Sequence, residues 1–326
     1  MASSRSFKNK IRSKGDAISY FSSHQRIRGC DMQVSKVHSL SWNCDGTKLA
    51  CGSHDRRVAV AAVDSGCRLK LDFVASGHDD TVDQVAFQYS SPYVFASASL
   101  DRSICVWDMR AKSTQRKLST RAPNLYVTWT PSGKHFIYGD KDNKIHIVDG
   151  RTSSIIKSVD IKVELNEIVC HPSGEYLFVA TGGGKVEIFS LPDLKPLRSI
   201  QALSTQSSCL SIAITSDGSK MVVGGNDALC TLWNLDEFIC ESTIARLDYP
   251  VRTVSVNAFG NLIACGSEDH CIDIGWLDDG AKVSDIRVDG EVFSTAWHPK
   301  QPILAFASVS SEARDRDSVR LWGFTS

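Results

Sequence analysis

A turn of the form small-small-x-Asp recurs about every forty-two residues along the chain, and a period of that length leaves few folds open. The copies read Gly52-Ser53-His54-Asp55, Ala98-Ser99-Leu100-Asp101, Gly139-Asp140-Lys141-Asp142, Gly224-Gly225-Asn226-Asp227 and Gly266-Ser267-Glu268-Asp269. Gly182-Gly183-Gly184 fills the same place without an Asp. Upstream of the turns lie alternating apolar and polar runs from Val37 to Trp42, Val82 to Phe87, Leu125 to Trp129, Leu165 to Cys170, Leu210 to Ile214, Val251 to Val256 and Val292 to Trp297. That makes seven units. The 293 residues from Val34 to Ser326 give about 42 per unit, within the range of a four-stranded blade, whereas six units would need about 49 and eight about 37. Period-two alternation and closely spaced turn residues predict an all-β fold, a closed seven-bladed β-propeller.

Six residues beyond each turn stand Ala61, Trp107, Val148, Phe189, Trp233 and Gly275, a constant offset with drifting chemistry that marks a structural slot. Ile104-Cys105-Val106-Trp107-Asp108, preceded by Gly77-His78, resembles a WD repeat, so the expected propeller is of WD40 type. The resemblance implies a hydrogen-bonded set of His78, Ser97 or Ser99, Asp101 and Trp107, whose polar groups satisfy one another when buried. The second unit carries the set whole. In the last repeat, Ser318-Val319-Arg320-Leu321-Trp322 reaches a third strand before the chain stops. By the same resemblance, residues 25–34 are expected to lend the outer strand of the last blade, which also covers a sheet edge. The expected organisation is a basic, flexible N-terminal arm over 1–24 and a single propeller over 25–326.

The chain has 326 residues, with 37 Lys and Arg against 37 Asp and Glu, and 42 % hydrophobic residues. Wholesale disorder is excluded, and a zero net charge argues against a dedicated nucleic-acid binder. The basic excess is local: Arg5, Lys8, Lys10, Arg12, Lys14, Arg26 and Arg28 face a lone Asp16 within residues 1–28, leaving the rest of the chain acidic. Such an arm is suited to RNA contact, to an acidic partner or to nuclear import, and its plain reading is a solvated tail. Eleven Cys, with no Cys-x-x-Cys spacing and no secretory leader after Met1, predict reduced thiols that pack as small hydrophobes. No apolar run approaches the ~18 residues of a membrane span.

No catalytic or metal motif stands out. His-Glu-x-x-His, Gly-x-Ser-x-Gly and clustered Cys/His ligands are missing from the sequence. His171-Pro172-Ser173-Gly174 and His298-Pro299 read as turns, and Gly182-Gly183-Gly184-Lys185 as a hairpin rather than a phosphate loop. Two segments suggest partners. Ile104, Trp107, Asp108 and Arg110 resemble the WDxR box of propellers that dock on a cullin-type ubiquitin ligase adaptor, although Asp and Arg also suit a local turn there. The loop Leu247 to Arg252 offers Asp248, Tyr249 and Arg252 on the rim where one blade's outer strand passes to the next blade, and Tyr and Arg are enriched in binding hot spots. Its plain reading is that Tyr249 and Pro250 pack between blades.

Several segments are more specific than a generic repeat. Ser35-Lys36-Val37-His38-Ser39-Leu40-Ser41-Trp42, Pro192-Asp193-Leu194-Lys195-Pro196, Leu247-Asp248-Tyr249-Pro250-Val251-Arg252-Thr253 and Ala296-Trp297-His298-Pro299-Lys300-Gln301-Pro302 resemble the THO complex subunit 3 (Tex1-type) family, over about Lys36 to Trp322. The chain departs from the pattern at Gln33, where a His is expected, and at Gly275-Trp276, which replace a small-acidic pair. The resemblance implies a non-catalytic scaffold in the nucleus, with other THO subunits as partners in messenger RNA packaging and export. It implies no cofactor, no small-molecule substrate and no membrane.

Overall fold

The alternating segments pair into seven four-stranded antiparallel sheets arranged as the blades of a β-propeller. The structure, a computed structural model, describes residues 11–64, 66, 68–310 and 319–325. In six blades the four strands follow one another along the chain, as in Val82–Phe87, Val94–Ser99, Ser103–Asp108 and Ser113–Ser119 of blade 2. Blade 7 is assembled from both ends. Gly290–Trp297, Leu304–Ser310 and Val319–Phe324 supply its first three strands, and Arg26–Cys30 pairs antiparallel with the last of them, Ile27 opposite Trp322 and Cys30 opposite Val319. The middle strands are buried almost throughout, as in Ser103–Asp108, where all six residues are buried, because they face neighbouring blades on both sides. The outer strands alternate with solvent, as in Ser113–Ser119.

All seven inner strands carry a β-bulge at their second position, counted in blade 7 from Val292. In blade 1, Val37 opposes Ser53 and Ser39 opposes Gly52, so His38 is the extra residue. The same shift leaves Asp83, Leu125, Asn166, Leu210, Arg252 and Phe293 as the bulged residues of blades 2 to 7. A bulge re-aims its side chain, and here the re-aimed side chains meet around the propeller axis.

At the opposite end of the inner strands the two His-Pro turns do more than reverse the chain. His171 Nε2 lies 3.1 Å from the carbonyl of Gly218 in the next blade, and His298 Nε2 lies 3.0 Å from that of Gly46, closing blade 7 on blade 1. The Lys300 amide donates to His298 Nδ1 at 3.0 Å, so the ring is a neutral tautomer with Nε2 as donor. Burial pulls the His298 pKa down to about 4. Gly46 and Gly218 have φ of +77° and +80°, and a Cβ on either would meet the imidazole at 2.3 and 2.4 Å. Both the backbone and the close approach require glycine there.

The N-terminal arm departs from the sequence reading. Residues 1–10, with Arg5, Lys8 and Lys10, lie outside the described residues, but Lys14–Ser23 is a helix docked on the propeller. Ser13 caps it, accepting from the Asp16 amide, while the Asp16 carboxylate accepts from the Ser13 amide in a reciprocal capping box. Ile11, Ala17 and Phe21 are buried with Trp297, Trp322 and Val283, and the Phe21 ring stacks on Trp322 at 4.4 Å. Lys14 pairs with Asp279, and the Asn261 side chain donates to the Ile11 carbonyl. The segment is held because three apolar side chains on one face seal the junction of blades 6 and 7. Phe21→Ala should therefore destabilise the protein by about 3 to 5 kcal/mol, the cost of emptying a packed aromatic site, measured by urea denaturation. A loss below about 1 kcal/mol would show the helix to be a passive appendage.

Candidate functional site

Blade 2 holds a continuous polar relay. His78 Nδ1 lies 3.1 Å from Asp101 Oδ2, its Nε2 lies 2.7 Å from Ser97 Oγ, and Trp107 Nε1 donates to the same Ser97 oxygen at 2.8 Å. Ser97 is thus the serine of the relay. Ser99 acts beside it, accepting from the Asp101 amide and donating to the Asp80 carbonyl. Burial opposes the Asp101 charge, but hydrogen bonds from His78, Ser103 and the Asp79 amide outweigh it and hold the carboxyl well below the usual range. The relay ties the loop entering the blade to the turn between its middle strands.

Elsewhere the same slots are filled differently. In blade 6, Leu247 stands where blade 2 has His78, Arg246 where it has Gly77, and Gly275 where it has Trp107, since the Asp248 and Asp79 amides make the same bond to the turn Asp. The Arg246 guanidinium grips Asp273 at 2.9 and 2.6 Å and donates to the Gly280 carbonyl, passing over Gly275, whose missing side chain makes room. In blade 3, Val148 replaces the tryptophan. Asp140, His146 and Ser158 form a chain of bonds, at 3.0 and 2.7 Å, and Tyr138 stacks on His146. These line a cleft of about 590 Å³.

The convergence of side chains lies at the channel mouth. The bulged residues His38, Asp83, Leu125, Asn166, Leu210, Arg252 and Phe293 line it, with the third-position residues just behind them. Six of those third-position side chains accept a backbone N–H from the next blade's inner strand. Ser39 takes Val85, Gln84 takes Val127, Glu167 takes Ile212, Ser211 takes Val254, Thr253 takes Thr295 and Ser294 takes Leu40, at 2.6 to 3.2 Å. Tyr126 occupies the third position between blades 3 and 4 and makes no such bond among those described.

Two acids at the mouth are strained electrostatically. Burial drives Asp83 up to about 7, with Lys141 opposing and Asp80 adding. Burial likewise drives Glu167 up to about 7 against its bond from the Ile212 amide and one from Ser211. The Asp83 Oδ2 atom is buried without a hydrogen-bond partner, and its Oδ1 is 3.9 Å from His38 Nδ1.

The rim residues expected from sequence fall together beside this mouth. Tyr249 is 56 % exposed and does not pack between blades. The Asp248 amide donates to Asp269, the Tyr249 carbonyl accepts from Ser267, and Arg252 pairs with Glu268. The WDxR segment is folded on itself: Ile104 and Trp107 are buried in the sheet, and the Arg110 guanidinium closes on Asp108, which also accepts from Gln115. Among the described residues no group of three or more His, Cys, Asp or Glu is placed to hold a metal ion. Sequence reasoning found Arg252 and missed the other six bulged residues, because a bulge interrupts the alternation by which strand faces are read.

Asp101→Ala should cost about 1 to 3 kcal/mol, since His78, Ser103 and the Asp79 amide lose a buried acceptor; an unchanged urea midpoint would contradict the relay's role. Glu167→Gln tests the mouth. A carboxyl whose pKa is raised on folding contributes its stability fully below the unfolded value, 4.5, and loses it as pH rises through about 7. The glutamine keeps an acceptor for Ile212 and removes the charge. It should gain on the order of 1 to 2 kcal/mol at pH 8 and almost nothing at pH 5, whereas an equal difference at both pH values would contradict a raised pKa.

The WD40 family (WD domain, G-beta repeat) matches residues 20–60 and 69–108, which include the whole blade 2 relay. Over 295 residues the chain is 35 % identical to THO complex subunit 3 from Arabidopsis thaliana, covering 89 % of this chain and 93 % of that protein. It is 25 % identical to WD repeat-containing protein AAC3 from Dictyostelium discoideum over 315 residues, 89 % of this chain and 65 % of that one. A shorter match, 27 % over 125 residues, joins it to rat Coronin-7. With seven four-stranded blades and that extent of identity, the chain belongs to the THO complex subunit 3 family.

Proposed function

We propose that the chain is a non-catalytic scaffold of a nuclear THO complex, acting in messenger RNA packaging and export coupled to transcription. The observation that carries this reading is 35 % identity to a THO complex subunit 3 across 93 % of that protein's length. A rigid ring with exposed loops suits such a role. Its blades are cross-linked by hydrogen bonds, so a loop on one blade is held at a fixed distance from a loop on another. Partner binding is assigned to the rim around Asp248, Tyr249 and Arg252, beside the channel mouth. RNA contact, where it occurs, falls to the basic residues before Gln25. Of these, Lys14 is already paired with Asp279, so the contribution left to the described part of the segment is small.

Purification of the tagged chain from its own cells should recover the other THO subunits and place the protein in the nucleus. Tyr249→Ala combined with Arg252→Ala should weaken that recovery at least tenfold with an unchanged melting temperature, because an aromatic and an arginine at an interface centre each contribute around 1 kcal/mol or more. Full recovery by a stable double mutant would move the docking surface elsewhere. Recovery of a cullin adaptor in place of THO subunits would overturn the function itself.

A further inference from the structure

The chain's own helix, Lys14–Ser23, fills the junction of blades 6 and 7 and leaves the matching junction of blades 4 and 5 open. We propose that this open cleft seats an amphipathic helix of a partner protein, with a lysine or arginine at its start. The register of the sheets carries this, whichever assembly the propeller serves.

The two junctions match position for position. In blade 6, Ala264 pairs with Ile274 and the outer strand bulges at Val283, and these three are buried in one cluster with Ile11, Ala17 and Phe21. In blade 4, Phe178 pairs with Ile188 and the outer strand bulges at Leu197. Val283, on the strand against which the helix packs, is 8 % exposed, whereas Leu197 is 54 % exposed. An apolar position that the fold buries in one blade is bare in the other.

The polar anchors have counterparts too. Lys14 pairs with Asp279, and the Asn261 side chain donates to the Ile11 carbonyl. The Leu194 amide bonds to the Ser190 carbonyl as that of Gly280 does to Trp276, which puts Asp193 at the place of Asp279. The Leu191 amide bonds to the Glu175 carbonyl as that of Leu277 does to Asn261, which puts Glu175 at the place of Asn261. Both acids are exposed, and the cation beside Asp193, Lys195, is 3.7 Å away. Complementarity at this edge favours a basic residue where Lys14 stands in the chain's own helix.

The cleft itself holds about 560 Å³, walled by Tyr176, Phe178, Ile188 and Leu197 of blade 4 and by Leu235 and Phe238 of blade 5. Large apolar side chains from one helix face suit it, as Phe21 suits Trp322 at the filled junction. Its charged groups are largely engaged: Asp217 accepts from Thr215 and Ser219, and Arg198 stacks on Phe238 at 4.1 Å. Apolar contact is therefore what the cleft offers, rather than the convergent polar groups that orient a small ligand. The chain's own helix is tethered elsewhere, because Arg26–Cys30 follows it directly into blade 7. The guest therefore comes from another protein.

The test places the photo-crosslinking residue benzoylphenylalanine at Leu197 of the full chain in its own cells, with Ser113, an exposed outer-strand position of blade 2, as the control site. An adduct specific to Leu197 should map to one segment of another protein, apolar at i, i+3 or i+4 and i+7, with Lys or Arg at its start. A synthetic peptide of that segment should bind the purified chain and gain helical circular dichroism. Leu197→Asp should weaken this binding at least about tenfold with an unchanged melting temperature, and Asp193→Asn about threefold. Tyr249→Ala with Arg252→Ala should leave it intact, which separates the cleft from the rim assigned above. No adduct specific to Leu197, an adduct to residues 14–23 of a second copy or to a segment that stays non-helical, or full affinity in both folded variants would each overturn the proposal.

Discussion

The inner strand of every blade is a sheet edge, and its free N–H groups must find acceptors or remain a cost to folding. Six of the seven junctions solve this the same way, with a third-position side chain of one blade accepting the fourth-position amide of the next. The link from Ser294 to Leu40 carries the pattern from blade 7 back to blade 1, so the bonds continue across the seam between the last blade and the first. At about 1 kcal/mol each, six such bonds are comparable with the net stability of an ordinary domain, and apolar contacts between blades add to them. His171 and His298 repeat the device at the far end of the inner strands, where they hold Gly218 and Gly46.

The same arrangement builds the candidate site. Because the third residue of six of the strands is committed to the neighbouring blade, the bulge before it projects the second residue toward the axis, and seven side chains of six kinds meet there. Tyr126 is the exception that matters. It gives up the inter-blade bond and sets an aromatic ring between Asp83 and Glu167, which turns a uniform collar into an asymmetric one.

The fold was legible in the repeat period, and the blade 2 relay in His78, Asp101 and Trp107, because a turn that needs a buried Asp and a slot that needs a Trp leave residue types at fixed spacing. Ser97 and Ser99 were not separable by sequence, since both lie on one face of a strand at a spacing of two; geometry gives the relay to Ser97. The docked helix was hidden because its three anchors, Ile11, Ala17 and Phe21, are scattered among charges, and what they cover, Trp297 and Trp322, lies at the other end of the chain. Blade 6 was read at Gly275 as a departure from pattern. It is a compensated exchange, in which a missing tryptophan admits Arg246, and Asp273, at the position of Cys105 in blade 2, is its partner.

The claim on which all of this rests is that the ring of side-chain acceptors locks the blades together, and native-state hydrogen exchange tests it most directly. The amides of Leu40, Val85, Val127, Ile212, Val254 and Thr295 should exchange only through global unfolding, with one common free energy that falls with denaturant along the global slope. The Ile168 amide, which faces Tyr126 across the junction of blades 3 and 4, should exchange faster by local opening. Ring amides that exchange as fast as Ile168, or each with its own shallow dependence on denaturant, would contradict the account.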